Sequence, residues 1–253
     1  MKWFFSLLLG LTLSLSFVSS ASSVSAEGDS PDALIRPTAG HSRDPFEGFN
    51  RTMFSVNEGI DAVVKPVAQG YDEVVPGPVR TGIGNFFGNI ADPWIAANNL
   101  LQGKITEGAS DVGRVLVNTT VGIAGLIDVA SDLGLEKHAE DFGQTLGRWG
   151  VGEGPYLYWP ILGPRNARDT LGFAADAALD PLRFPHDARA RNTLAGVRFI
   201  DLRASLLSAD KVVEAAAFDK YRYIRDAYFQ MRRNAIYDGN PPPLDDDGDG
   251  EEE

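Results

Sequence analysis

The sequence predicts an all-α protein built from short helices, and three observations support this fold class. Apolar side chains recur at the three- to four-residue spacing of a helix in several separate segments. Proline, glycine and Asp-Pro steps separate these segments, as they do at helix ends. Beyond the first 26 residues, no apolar run reaches the length of about 20 residues that a single membrane-crossing helix needs.

The first 26 residues have the features of a secretory signal peptide. Lys2 supplies the positive start, residues 4–18 the apolar segment, and Val24-Ser25-Ala26 a small-residue cleavage site. An uncleaved anchor helix is the alternative, but the apolar run is short for a span. We therefore expect an exported chain with a flexible leader at residues 27–43, which are rich in glycine, serine, aspartate and proline.

Composition and charge exclude several classes of function. The chain has 253 residues and a formal net charge of -12, and seven of its acidic residues fall in the last ten positions. An acidic surface repels nucleic acid, so we expect no nucleic-acid partner. Residues 238–253 are predicted to form a disordered acidic tail, with a calcium loop as the less favoured alternative. The absence of cysteine excludes disulfides, thiolate metal sites and a thioether-linked lipid anchor.

No motif for catalysis or for a cofactor is present. The histidines His41, His138 and His186 are too dispersed to suggest a metal site, and the chain has no G-x-S-x-G, H-E-x-x-H, P-loop or C-x-x-C sequence. No pair of carboxylates is singled out as glycosidase-like. We predict a protein that is not an enzyme and that uses no metal and no cofactor. Apolar aromatic walls and closely packed glycines suit lipid handling better.

Order is expected to begin with a helix at residues 44–64. Asp44 is placed to cap its N-terminus, and Glu47 to close a capping box. Pro66 is expected to end the helix. Asn57 lies inside its apolar stripe, where it is either a satisfied core amide or a polar lining group.

Two short apolar arms follow a proline-punctuated connector at residues 71–78. The arms cover residues 79–90 and 94–102, and Asp92-Pro93 separates them. Each arm is roughly 15 Å long, about half of a hydrocarbon core. The pair is expected to be either a re-entrant hairpin within one leaflet or an αα-hairpin packed in a core.

The next apolar segment, residues 112–135, is the best candidate to pack against these arms. Gly122 and Gly125 lie three residues apart, which permits a close approach. Arg114 and Asp128 bracket the apolar part, and we expect them to form an ion pair or a cap.

Residues 140–172 are interpreted as a fixed irregular loop because glycine and proline are too dense for an ordinary helix. The loop is expected either to be buried as a plug in a core or to line a hydrophobic passage. Asp141 and the stretch from Arg165 to Asp169 are placed to hold its two ends through ion pairs and caps.

Further helices are predicted at residues 169–179, 195–207 and 210–218, and another from about residue 221. The last one is expected to pack with Tyr221, Ile224, Tyr228 and Met231 and to expose Lys220, Arg222, Arg225 and Arg232 to solvent.

Several motifs together resemble the MlaA/VacJ family of outer-membrane lipid-asymmetry proteins. The motifs are DPFEGFNR (44–51), NFFGNIADP (85–93), NNLLQGK (98–104), NTTVGIAGLIDVA (118–130), DFGQTLGRWGVGEGPYLYWPILGP (141–164), RD (168–169) and RDAYFQ (225–230). They cover most of residues 44–233 in order and at similar spacing. Members commonly carry a lipobox cysteine after the signal, so this chain resembles a non-lipidated variant.

The resemblance implies one ring-like all-helical domain at residues 44–237. It would lie in one leaflet, on the periplasmic side of the outer membrane, and enclose a central channel. The implied channel and gate residues are Phe54, Val56, Asn57, Gly150, Gly152, Gly154, Pro155, Tyr156, Leu157, Tyr158, Trp159 and Pro160. The implied membrane-embedded hairpin contains Phe86, Phe87, Ile90, Pro93, Trp94, Leu100 and Leu101.

The function implied by the resemblance is removal of mislocalised phospholipids from the outer leaflet of the outer membrane. The implied partners are glycerophospholipid, a trimeric outer-membrane porin and a soluble, MlaC-like periplasmic lipid carrier that receives the lipid. The alternative is a porin-associated structural scaffold of the envelope that binds lipid incidentally.

Overall fold

The computed structural model describes residues 43–216 and 218–243, and it confirms the all-α prediction. Within these residues it contains nine α-helices and one two-stranded antiparallel sheet. The elements in chain order are α1 (Glu47–Val74), α2 (Gly77–Leu101), α3 (Ile105–Thr120), α4 (Val129–Asp132), α5 (Phe142–Arg148), β1 (Tyr156–Trp159), β2 (Gly163–Asn166), α6 (Ala167–Leu179), a 3₁₀ turn (Pro181–Arg183), α7 (Ala188–Ser205), α8 (Leu207–Ala216) and α9 (Lys220–Ile236). The predicted signal peptide, the leader up to residue 42 and the tail beyond residue 243 lie outside the described residues.

Helix α1 is longer than the sequence predicted and continues through Pro66. Contacts on both sides of the proline hold the helix together: Lys65 pairs with Glu214 of α8 at 3.0 Å, and the Tyr71 hydroxyl donates to Asp201 of α7 at 2.6 Å. The predicted stop at Pro66 is therefore wrong, because tertiary packing outweighs the one backbone hydrogen bond that proline removes.

The predicted capping role of Asp44 is also wrong. Phe46 occupies the N-cap position and caps no N–H group through its side chain. Asp44 is buried instead, and it accepts hydrogen bonds from Asn50 at 2.8 Å and from the Tyr221 hydroxyl at 2.5 Å.

Helix α2 runs unbroken through Asp92-Pro93, so the predicted hairpin break at this step is wrong. Asp92 is buried inside the helix, and its carboxylate is 2.5 Å from Lys137. The residues assigned to a re-entrant hairpin all lie on this one 25-residue helix. The hairpin in the structure joins α2 to α3 through the turn at residues 102–104.

The segment at residues 112–135 packs against α2 as predicted, although it is not one helix. It contains the end of α3, a turn and α4. Gly125 lies so close to the side chain of Asn89 on α2 that a Cβ atom would overlap it. Arg114 makes the expected ion pair with Asp128 at 2.9 Å, and Asp128 also caps α4 through the Ser131 N–H.

Helices α5 and α6 replace the first and last parts of the predicted irregular loop. Asp141 caps α5 by accepting from the Gln144 N–H at 2.9 Å, and Asn166 caps α6 by accepting from the Asp169 N–H at 2.7 Å. Glycine does not prevent α5; it allows the helix to touch its neighbour, because a Cβ atom on Gly172 of α6 would overlap the backbone of Gly143. The expected caps are confirmed, and the expectation that this whole segment is non-helical is wrong.

The C-terminal helices are present, but the exposed face predicted for α9 is wrong at Arg225 and Arg232, while Arg222 is exposed as predicted. Arg225 and Arg232 are buried, whereas Met231, assigned to the packed stripe, is 46% exposed. Buried carboxylates around the arginines explain the difference: Arg225 contacts Asp44, and Arg232 contacts Asp141. Among the described helices, none has both the length and the apolar character needed to cross a bilayer.

The close contact between α5 and α6 predicts opposite effects for the same substitution at two helical glycines. Gly172→Ala should lower the free energy of unfolding by about 2 to 3 kcal/mol, since the added methyl group meets backbone that cannot move aside. Gly196→Ala in α7, where no atom lies within 4 Å of the added carbon, should raise it by up to about 1 kcal/mol through helix propensity. Chemical denaturation of both variants checks this; a similar change at both positions would contradict the packing.

Candidate functional site

The aromatic strand pair lies on α1 and α9 and forms the centre of the candidate site. Tyr156 and Tyr158 of β1 are buried and pack with Tyr221 and Phe229 of α9, and Phe54 of α1 packs against the group. We call these five residues the aromatic cluster. The rings of Phe54 and Tyr158 meet edge to face with centroids 5.5 Å apart. The predicted irregular loop is thus a β-hairpin here, and its two tyrosines belong to a core.

Two asparagines of α1 take the place of a neighbouring strand for β1. Asn50 donates to the Tyr156 carbonyl at 3.0 Å and accepts from the Tyr158 N–H at 2.8 Å. Two helical turns later, Asn57 donates to the Trp159 carbonyl at 3.3 Å and accepts from the Ile161 N–H. A two-stranded sheet is marginal by itself, and its free edge needs partners. The two amides provide them, so Asn57 is a hydrogen-bonded amide, as one of the two sequence interpretations expected.

A buried ion-pair network holds both ends of the strand pair. Arg232 of α9 contacts Asp141 at 2.5 Å and Asp169 at 2.6 Å, and the Tyr228 hydroxyl donates to Asp169 at 2.6 Å. Burial by itself raises the pKa of Asp141, but the charge of Arg232 and its hydrogen bonds outweigh burial and hold that pKa at about 2. Asp141 is therefore ionised at neutral pH.

Asp176 extends this network towards α2. It accepts from the Trp94 indole N–H at 2.7 Å and from the Phe142 N–H at 3.0 Å. Burial, together with the nearby charge of Asp141, raises the pKa of Asp176 to about 6. Within the network, Arg232 thus keeps Asp141 charged against the effect of burial, whereas burial pushes Asp176 towards the neutral form.

The structure brings some of the sequence-predicted gate residues together and separates others. Phe54, Asn57 and the strand pair are in contact, whereas Val56 is 43% exposed on the other face of α1. Gly150 and Gly154 both have positive φ, so the chain can turn sharply before β1. The remaining predicted gate positions are half-buried or exposed on the same segment, namely Gly152, Pro155, Leu157, Trp159 and Pro160.

The residues predicted for a membrane hairpin spread along α2 with different surroundings. Phe87 is buried and stacks edge to face with Phe86, while Leu100 and Leu101 are exposed at the end of the helix. Ile90 and Trp94 are half-buried, and Pro93 is exposed.

The outer face of α1 carries an exposed stripe without any charged side chain. We call it the α1 stripe. Its members lie three, four or seven residues apart, the spacing of one helix face. They are Phe49, Val56, Gly59, Val63, Val67 and Val74.

In the described part of the molecule, the distribution of polar and hydrophobic side chains between interior and surface is inverted relative to a typical soluble domain. Buried polar and charged side chains outnumber buried hydrophobic ones, and large hydrophobic side chains are exposed on α1, α2, α3 and the turn that follows α3. Buried polar groups and broad exposed apolar surfaces are the features that distinguish a protein from an ordinary soluble domain.

Sequence reasoning missed the polar residues that assemble the site. Asn50, Asp44, Arg225 and Arg232 were not identified as its members. The spacing of Asn50 and Asn57, two turns apart on one face of α1, is the signal that points to a paired role. Among the described residues, no group of histidine and acidic side chains is arranged to hold a metal ion.

Comparison with known proteins identifies relatives of this arrangement. A family model described as MlaA lipoprotein matches residues 42–235. The intermembrane phospholipid transport system lipoprotein MlaA of Escherichia coli (strain K12) is 38% identical over 204 residues, which cover 78% of this chain and 79% of the relative. The protein of the same name from Haemophilus influenzae is 31% identical over 205 residues, which cover 78% and 80% of the two chains.

A solved structure concerned with the maintenance of bacterial outer membrane lipid asymmetry has the same fold. One of its chains superposes with a TM-score of 0.67 at 36% sequence identity, covering 78% of this chain and 99% of that chain.

The two asparagines of α1 predict graded losses of stability. Asn50→Leu should lower the free energy of unfolding by about 3 kcal/mol or more, because it leaves buried peptide groups of β1 without partners; Asn57→Leu should cost about 1 to 2 kcal/mol at its less buried position. Chemical denaturation measures both losses of unfolding free energy. Hydrogen exchange of the Tyr158 amide should accelerate in Asn50→Leu, and that of the Ile161 amide should accelerate in Asn57→Leu. The matched control is Thr52→Leu on the exposed side of α1; a cost as large as that of Asn50→Leu would argue against the edge-pairing role.

Asp176 predicts a specific dependence of stability on pH. Its pKa rises from 3.8 in the unfolded chain to about 6 on folding, so the folded state binds more protons between these values. The stability that this group contributes is present below pH 3.8 and is lost as the pH rises through about 6. Relative to wild type, the stability of Asp176→Asn should therefore increase from pH 4 to pH 7, by up to about 3 kcal/mol. Urea denaturation across this interval measures the difference, and a difference that does not vary with pH would contradict the assignment.

Proposed function

The chain belongs to the MlaA lipoprotein family, and from this premise we propose that it removes phospholipid from the outer leaflet of the outer membrane and passes it to a soluble periplasmic carrier. The family membership supports the general role, a part in intermembrane phospholipid transport and in outer-membrane lipid asymmetry. We further propose the route that the lipid takes along this protein and its transfer to a carrier.

The inverted burial is the observation that carries the proposal. A protein surrounded by water hides most of its large hydrophobic side chains, whereas here many of them are exposed on α1, α2 and α3 and many of the buried side chains are polar or charged. Hydrocarbon can cover the apolar outside at no cost in hydrophobic free energy, and the buried ion pairs then hold the helices together. This distribution supports contact with hydrocarbon, and we propose that the protein lies in the periplasmic leaflet of the outer membrane.

We propose that the lipid follows the α1 stripe. The stripe gives acyl chains an uncharged path along a helix of 28 residues, which is about 42 Å long at 1.5 Å per residue. Phe54 and Asn57 face away from this path and hold the strand pair behind it, so Val56 is the predicted gate residue of α1 that meets lipid. Tyr156 and Tyr158 support the wall from within the aromatic cluster.

The proposed transport involves no bond breaking by this protein. A lipid moves along the α1 stripe because the apolar wall and the polar groups near it lower the cost of moving both the acyl chains and the head group. Direction would come from the carrier that takes the lipid away. A trimeric porin would hold the protein at the outer membrane, beside the apolar surface of α2 and α3.

A charge placed on the α1 stripe should block transport without unfolding the protein. Val63 is 72% exposed, so Val63→Glu adds a carboxylate to the surface and leaves the core intact. An acidic side chain in hydrocarbon costs about 3 kcal/mol, which should slow lipid passage by roughly a hundredfold. Cells that carry only this variant should accumulate outer-leaflet phosphatidylethanolamine several-fold, measured by an impermeant amine-labelling reagent on intact cells.

Two controls make this result specific. Val63→Ala keeps the position uncharged, and Val212→Glu adds the same charge to an apolar position of α8 that is 58% exposed and lies outside the stripe. Both should keep outer-leaflet phospholipid at the wild-type level. Equal accumulation in Val212→Glu, or loss of porin association together with transport in Val63→Glu, would favour the scaffold function over transport.

A further inference from the structure

An open depression of about 560 Å³ lies at the turn between α2 and α3, away from the aromatic cluster. The first residues of α3, Ile105, Thr106 and Glu107, line one part of it. Other residues line the rest, among them Asn99, Lys104 and Arg148. None of these residues belongs to the strand pair, the α1 stripe or the ion-pair network.

The start of α3 offers N–H groups to this depression. The N-cap residue Lys104 provides no side-chain cap, and the first hydrogen bond of the 16-residue helix runs from the Gly108 N–H to the Lys104 carbonyl at 3.0 Å. No described residue accepts from the N–H groups of Ile105, Thr106 and Glu107. Uncapped N–H groups at the positive end of a helix dipole attract an anion.

Arg148 adds a cation to the same space. It lies exposed in the last turn of α5, and it forms no ion pair with any described residue. Lys104 is less available, because its ammonium group contacts Glu140 at 2.8 Å and also Asp238. The guanidinium of Arg148 is therefore the group that can meet an incoming phosphate, in the bidentate geometry that guanidinium groups favour.

Asn99 provides an independent sign of a ligand that also donates hydrogen bonds. Its side chain is fully buried, and its Nδ2 group donates to Asp111 at 2.7 Å, which fixes the orientation of the amide. The Oδ1 atom has no hydrogen-bond partner. A buried acceptor without a partner costs about 1 to 3 kcal/mol, and an N–H or O–H group that enters the depression can remove this cost.

The charges around the depression favour a zwitterion over a simple anion. The carboxylates of Glu107, Glu140 and Asp238 line it together with Lys104 and Arg148, so the acids outnumber these two cations even though Lys104 pairs with Glu140 and Asp238. A bare phosphate would face these three acids, whereas an ammonium group joined to the phosphate would complement them.

An apolar rim completes an amphipathic shape. Leu101, Ile105 and Trp149 are all exposed beside the depression, and the Trp149 indole N–H donates to the Leu101 carbonyl at 3.0 Å, which holds the ring in place. An indole at the border between a polar pocket and an apolar surface is typical of a lipid–water interface.

We propose that this depression is a binding site for a phosphoethanolamine head group. The N–H groups of α3 and Arg148 hold the phosphate, Asn99 and the acidic residues receive the ammonium N–H groups, and acyl chains of an intact lipid lie on the Leu101, Ile105 and Trp149 rim. A choline head group has the same charge but no N–H donor, so it leaves the Asn99 Oδ1 atom unpaired. A site built to accept hydrogen bonds rejects an analogue that lacks the donor. The inference does not depend on the transport route along the α1 stripe.

The test uses the full mature chain in a phosphate-free detergent, with isothermal titration calorimetry and amide chemical shifts of residues 105–107. Glycerophosphoethanolamine should bind, glycerophosphocholine and inorganic phosphate should each bind at least tenfold more weakly, and short-chain phosphatidylethanolamine should bind more tightly than the acyl-free head group. Arg148→Gln should weaken glycerophosphoethanolamine binding about tenfold. The matched control is Arg189→Gln, which removes an exposed arginine at the start of α7 and should leave binding unchanged.

The following binding results would each overturn the proposal. Equal binding of inorganic phosphate would show a general anion site, and equal binding of the choline compound would remove the role of Asn99. No binding of glycerophosphoethanolamine, or binding that Arg148→Gln leaves unchanged, would show that the depression takes no head group. Unchanged lipid transport in Arg148→Gln cells would leave the proposed function intact, so the two proposals fail separately.

Discussion

The contact of Arg232 with Asp141 and Asp169 is the interaction on which the rest of the molecule depends. It joins α9 to the start of α5 and the first turn of α6, so it fixes both ends of the segment that contains the strand pair. Removing one partner of a buried ion pair costs about 3 to 5 kcal/mol, because the other charge remains buried without compensation. The aromatic cluster packs between α1, β1 and α9. The strand pair, the helix caps and the aromatic cluster are thus all held by the same ion pairs.

The same arrangement explains how the molecule can be apolar outside. Hydrophobic burial drives most soluble folds, but here large hydrophobic side chains remain on the surface of several helices. Hydrogen bonds and ion pairs inside supply directional contacts instead, for example Asn50 and Asn57 on the strand edge and Arg114 with Asp128 beside α3. Such contacts keep their partners whether water or hydrocarbon covers the outside. An interior of this kind suits a protein that handles lipid.

Two prolines show where local rules fail in this chain. Pro66 and Pro93 are exposed inside long helices, although the sequence rule places a helix end at each. A proline on the exposed side removes one backbone hydrogen bond, while contacts on either side, such as Tyr71 with Asp201 and Asp92 with Lys137, hold the helix in register. The continuous α2 that results brings Trp94 to Asp176 and places Leu101 beside Trp149. The extended helices therefore shape the network and the rim of the depression.

The sequence by itself determined the helical class, the approximate position of most helices, the caps at Asp141 and before α6, and the family. Each of these depends on spacing within one segment, and the family depends on motifs in a fixed order. Only the tertiary structure decided that the aromatic segment is a strand pair, that Arg225 and Arg232 are buried, and that Asn50 pairs with a strand edge. The two strands pair locally, but the partners of Asn50, Arg225 and Arg232 are roughly 60 to 180 residues away in the chain. Local periodicity holds no information about such distant partners, and a buried arginine has the same pattern in the sequence as a solvated one.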